Sequence, residues 1–196
     1  MKSTIALVAI AGFAAAASAG NTFSLSINAP AEVAEGAVFT IDVIGDASTG
    51  THMLGGGFSL TSNSGLIADM AWTPADWSAF NEDGGYSGNG NYGDVVFGQL
   101  LIFGIPGFDM PADGSDLGNL IGSYQVTLGA GSGDIDFAFN AGVPFTLQSY
   151  NEADGAISSS ADGQLALNGA TVTVTPAPSA LALLGLGGIA AGRRRR

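Results

Sequence analysis

Between residues 3 and 192 the chain contains no Lys and no Arg, while all 17 of its Asp and Glu residues lie there. Any fold of this stretch must do without Lys or Arg salt bridges. Its acids must therefore face water, backbone N–H groups or added ions. The five basic residues, Lys2 and Arg193 to Arg196, stand only at the extremities. The acidic balance excludes nucleic acid and anionic lipid headgroups as partners of the central region, since both require clustered Lys or Arg. With no Cys there is no disulfide framework and no thiolate site. A hydrophobic fraction of 46% against 11% charged residues is too apolar for a disordered chain.

Each basic extremity adjoins an apolar run. At the N-terminus Lys2, the apolar stretch Ile5 to Ala17 and the small-residue site Ala17-Ser18-Ala19 have the layout of a secretory signal peptide over residues 1–19, with signal peptidase cutting after Ala19. At the C-terminus Pro176-Ala177-Pro178 precedes the apolar segment Leu181 to Ala191 and the cluster Arg193, Arg194, Arg195 and Arg196. That segment, read as an apolar helix, is shorter than the roughly 20 residues needed to cross a hydrocarbon core of about 30 Å. Snorkelling Arg and a thinned bilayer leave a membrane anchor open. The Arg cluster would stay cytoplasmic, which puts residues 20–175 on the outside.

The order of proline pair, short apolar helix and terminal Arg cluster, on a chain with a signal peptide, resembles a PEP-CTERM sorting tail over residues 176–196. The resemblance implies membrane attachment through the tail, followed by processing near Pro176 and Pro178 by an exosortase. It further implies an exported product at the cell envelope, on the surface or in an extracellular matrix rich in exopolysaccharide. Ala177 stands where the family motif has Glu. A plain membrane anchor is the alternative reading.

Residues 20–175 carry short alternating or continuous apolar runs separated by Gly, Asn, Asp and Ser. The pattern predicts strands near 23–27, 38–44, 56–60, 66–71, 95–103, 122–128, 135–140, 145–148, 164–167 and 170–175. Val38 to Ile44, Asp134 to Asn140 and Thr171 to Thr175 alternate most regularly, as strands with one buried face do. Thr73-Pro74-Ala75-Asp76-Trp77 predicts one short helix reaching Phe80, with a capping hydroxyl and a proline at the first helical position. The whole reads as all-β, an antiparallel two-sheet sandwich. Ser24 to Ile27, the acidic link Ala31 to Gly36, Phe39 to Val43 and the glycine-rich Leu54 to Leu60 are together similar to the opening of cohesin-like jelly-roll sandwiches. That resemblance implies a non-catalytic adhesive or scaffold module with another surface protein as partner.

Reactive chemistry is thinly supplied. His52 is the single histidine, and no G-x-S-x-G elbow accompanies it. A zinc site would need several His or Cys ligands. Calcium is better provided for, because the segments 81–94 and 109–116 are dense in oxygen ligands. Asp109, Asp113 and Asp116 are the candidate set, although neither segment follows the EF-hand order. Trp72 and Trp77 are read as packing residues, with a sugar-stacking platform, joined by Tyr86 or Tyr92, as the alternative. The leading reading is a non-enzymatic structural or adhesive surface protein. A carbohydrate-binding module and, using a carboxylate pair, a matrix polysaccharide hydrolase are its rivals.

Overall fold

The computed structural model describes residues 21–102, 105, 109–142 and 146–177. Residues 1–19, read as a signal peptide with Ala17 and Ala19 at its cleavage site, and the tail from Pro178 through the apolar segment to Arg193–Arg196, lie outside the described residues. No helix among the described residues is long and apolar enough to cross a membrane.

Among the described residues, fourteen strands form two sheets. In chain order they are β1 (Thr22–Asn28), β2 (Glu32–Ala34), β3 (Val38–Ala47), β4 (His52–Thr61), β5 (Ile67–Pro74), β6 (Glu82–Asp83) and β7 (Tyr86–Gly88). They continue with β8 (Asn91–Gly98), β9 (Leu120–Leu128), β10 (Gly133–Ala141), β11 (Gln148–Tyr150), β12 (Ile157–Ser159), β13 (Gln164–Asn168) and β14 (Ala170–Thr175). One sheet has the order β13–β1–β3–β9–β5. The other runs β12–β11–β4–β10–β14–β2, with β8 on the free side of β4 and the short β6 and β7 on β8.

Period-two patterning builds both sheets. Along β3, Phe39, Ile41 and Val43 turn inward while Val38, Thr40 and Asp42 do not; along β10, Ile135, Phe137 and Phe139 face in and Asp134, Asp136, Ala138 and Asn140 face water. The core joins Phe23, Leu25, Ile41 and Tyr124 of the first sheet to Phe58, Leu60, Phe97 and Phe137 of the second, all fully or almost fully buried. Among the described residues the buried core runs from Phe23 to Val174. The all-β sandwich expected from the sequence is the architecture found.

The structure corrects three details. The expected helix over 73–80 does not form. Thr73 and Pro74 end β5, the Ala75 N–H donates to the Ile121 carbonyl at 2.8 Å, and the Phe80 N–H donates to the Gly98 carbonyl at 2.9 Å. These amides, which a helix would use or leave free at its start, are committed to neighbouring strands, and one turn bond from Ser78 N to the Ala75 carbonyl remains. The strand expected to reach 103 begins earlier, at Asn91, and stops at Gly98. The strand expected at 145–148 starts only at Gln148. The antiparallel rule also has two exceptions, since β13 runs parallel to β1 and β2 parallel to β14.

Candidate functional site

The strands β4 and β8 shape a concavity. Leu54-Gly55-Gly56-Gly57 brings three glycines in a row into the middle of β4, and Gly98 stands opposite Gly55 on β8. The strands approach so closely there that a Cβ on Gly55 would lie 2.6 Å from the Phe97 carbonyl oxygen. On Gly56 it would lie 2.5 Å from Leu147 Cδ2. Bare backbone therefore floors a groove of about 460 Å³, walled by Leu54, Val96, Phe80 and Leu100, with Gln99 and Gln148 as polar edges. Phe80 is 57% exposed and Leu100 59% exposed, so the walls are apolar surface standing in water.

Gln99 holds this wall in place. Its Nε2 donates to the Met53 carbonyl at 2.7 Å, and its Oε1 accepts from the Ala112 N–H at 2.7 Å. A second hollow, lined by Trp77, Met110, Asp109 and Asp113, shares Gln99 and Leu100 with the first.

At the start of β4 a polar cluster ties three loops together. The His52 Nδ1 lies 3.5 Å from Asp116 Oδ1, and its Nε2 lies 3.3 Å from Glu152 Oε1. Ser115 Oγ is 3.2 Å from His52 Nδ1. A serine, a histidine and acids thus meet, but the serine hydroxyl donates its proton to the Ala112 carbonyl at 2.7 Å, and Ser115 is wholly buried. A nucleophile needs a proton shared with its base and a face open to substrate. Ser115 has neither. The Met53 N–H donates to the Ser115 carbonyl and the Leu117 N–H to the Thr51 carbonyl, which makes the cluster a clasp for the loops around 51, 116 and 152.

The residues singled out from the sequence separate in space. Asp109 and Asp113 line the second hollow, while Asp116 is turned to His52. Among the described residues no three His, Asp or Glu side chains converge so as to hold a metal ion. The structure thus does not bring Asp109, Asp113 and Asp116 together as one group.

The aromatic platform is likewise spent inward. Trp72 packs at ring-centroid distances of 4.7 Å on Tyr124 and 5.6 Å on Phe58, and Trp77 crosses Phe97 edge-on at 6.0 Å while its Nε1 donates to the Leu120 carbonyl at 2.8 Å. Both indoles and the Tyr92 ring are buried. The half-buried Tyr86 has its hydroxyl engaged, donating to the Ile67 carbonyl and accepting from the Gly90 N–H.

Two phenols in this cluster titrate abnormally. Burial pushes the Tyr92 hydroxyl up to about 12, with the Asp83 carboxylate acting in the same direction. Tyr124 is raised further, again first by burial, and its hydroxyl has no hydrogen-bond partner among the described residues. Pro176 and Ala177 follow β14 at its C-terminal end as irregular backbone.

No protein-family model matches this sequence, and no curated protein sequence matches it. Solved structures do. The seventh ScaB type I cohesin from Pseudobacteroides cellulosolvens aligns with a TM-score of 0.55 at 10% identity, over 81% of this chain and 94% of that one. A chain of the Coh-OlpA–Doc918 type I cohesin–dockerin complex from Clostridium thermocellum aligns with a TM-score of 0.53 at 11% identity, over 79% of this chain and 99% of that one. At such identities the likeness establishes the fold, which is cohesin-like, as the opening strands of the sequence resemble.

Proposed function

We infer that the chain is an exported, non-enzymatic surface or extracellular-matrix protein whose sandwich adheres to another protein. The observation that carries this reading is the glycine-floored groove with exposed apolar walls, set on a fold shared with modules that include one solved in a cohesin–dockerin complex. The sequence supplies the address: a signal peptide over 1–19, and a PEP-CTERM-like tail over 176–196 that holds the precursor in the membrane until an exosortase acts near Pro176-Ala177-Pro178. The single serine–histidine–acid cluster among the described residues is a structural clasp, which supports a binding role over hydrolysis.

The test uses the domain's own composition. Purified mature protein is added to envelope fractions before and after trypsin treatment and, in parallel, after periodate oxidation of their sugars. Trypsin has no cleavage site between residues 3 and 192, so traces of it leave the added domain whole. Binding abolished by trypsin and retained after periodate is the expected result. The reverse result would replace the reading with a carbohydrate-binding one. The intact mass of the native protein tests the address, with a C-terminus near Pro176 expected in the surface fraction and one at Arg196, confined to membranes, contradicting processing.

A further inference from the structure

Two features of the groove point to one kind of occupant. Its walls include Phe80 and Leu100, held out into water, and its backbone floor leaves room for side chains of an incoming segment. Its margins are acidic on both flanks. Glu82 pairs with Val96 across β6 and β8 and so shares the face of a wall residue, and Asp94 lies two residues earlier on β8. On the other flank Asp109 and Asp113 line the hollow that shares Leu100. All four are exposed, and no Lys or Arg exists between residues 3 and 192 to neutralise them. Uncompensated charge beside a low-dielectric wall raises the local potential and attracts the opposite sign. A neutral or acidic partner covering the groove would dehydrate these carboxylates without return, whereas Lys or Arg at the margins would restore what water supplied.

We propose that the groove binds a polypeptide segment whose apolar side chains fill the glycine-floored hollow and whose flanking Lys or Arg residues meet Glu82, Asp94, Asp109 and Asp113. This rests on the adhesive reading above and specifies the chemistry of the protein it adheres to. The apolar anchors supply most of the buried surface, and the basic flanks set register and speed of encounter. A polysaccharide of hydroxyls and carboxylates supplies neither.

The experiment places a photo-reactive p-benzoylphenylalanine at the exposed position 100 of the full chain, expressed in its native host, and irradiates intact cells. Trypsin then trims the captured partner and leaves residues 3–192 uncut, so each product is the whole domain carrying a sequenceable stub. The expected stub comes from a different protein and derives from a segment with apolar side chains beside Lys or Arg. Its yield falls about tenfold when Glu82→Gln, Asp94→Asn, Asp109→Asn and Asp113→Asn are combined, and falls comparably with Phe80→Ser. Because all five side chains are exposed, unchanged near-ultraviolet circular dichroism is expected to confirm that these variants fold. A long stub whose crosslinked residue lies far from both trypsin-cut ends, a second copy of this acidic domain, or a yield indifferent to the four neutralised acids overturns the proposal and leaves the adhesive reading standing. Capture of polysaccharide alone, or of nothing, overturns both.

Discussion

The two ends of the larger sheet solve the problem of an exposed face in opposite ways. Over β10 and β14 the outward side chains satisfy one another: Thr173 Oγ1 donates to Asp134 Oδ1 at 2.8 Å and Thr171 Oγ1 to Asp136 Oδ1 at 2.6 Å. Over β4 and β8 the outward surface is glycine backbone between exposed Phe80 and Leu100. The first end has its polar groups paired and no apolar wall to cover, while the second has apolar surface that only another molecule can remove from water. Within one sheet, then, the reason to expect a partner is local.

The largest effect should come from filling the floor. Gly55→Ala puts a Cβ against the backbone of Phe97 and Gly98, which cannot swing aside, and is expected to cost about 2–3 kcal/mol in urea unfolding. Ala138→Val, on the exposed side of β10 at the polar end, is expected to change stability by less than about 0.5 kcal/mol. Equal costs would mean that the two ends are equally tight.

Alkali should act next, through the inner face of β8. Tyr92 is neutral in the fold with its phenol raised to about 12, against an ordinary value near 10. A raised group stabilises the fold fully below its unfolded value and ceases to as pH passes the folded one. The urea midpoint is therefore expected to hold up to about pH 10 and to fall through about pH 12. Tyr92→Phe should be less stable at neutral pH, because the Trp72 N–H loses its acceptor, but should fall less steeply in alkali. A parallel descent would remove Tyr92 as a cause.

Salt should act more weakly and over the whole surface. With 17 acids and no Lys or Arg between residues 3 and 192, screening is expected to raise stability by about 1 kcal/mol, or roughly 2–4 °C in Tm, between very low and molar salt. A flat Tm would show that the acids are already dispersed. The smallest effect belongs to Thr173→Val, which removes one exposed bond to Asp134 and is expected to cost under about 0.5 kcal/mol.

What could be read from the sequence was whatever repeats every second residue. Val38 to Ile44, Asp134 to Asn140 and Thr171 to Thr175 declared both their strands and their buried faces. The Thr-Pro-Ala-Asp-Trp signal misled because a capping hydroxyl and a proline also suit the end of a strand. The choice was made by bonds to Ile121 and Gly98, which no local pattern contains. The groove was hidden for a related reason. Gly55 to Gly57 were legible as part of a strand, but what they leave open depends on β8 lying alongside, some 40 residues on. His52, at the start of β4, meets Ser115 and Glu152 from two separate loops with no motif to connect them.

The last strand has a mechanical meaning. β14 is bonded on both edges, antiparallel to β10 from Val174 opposite Gly133 to Ala170 opposite Phe137, and parallel to β2 from Glu32 to Ala34. Glu35 and Thr173 add backbone bonds at the same end. Tension entering the chain beyond Thr175 pulls along the axis of this strand, so the ladders on its two sides are loaded together in shear instead of parting one bond at a time. A tether attached there would grip the sandwich by a strand braced on both edges.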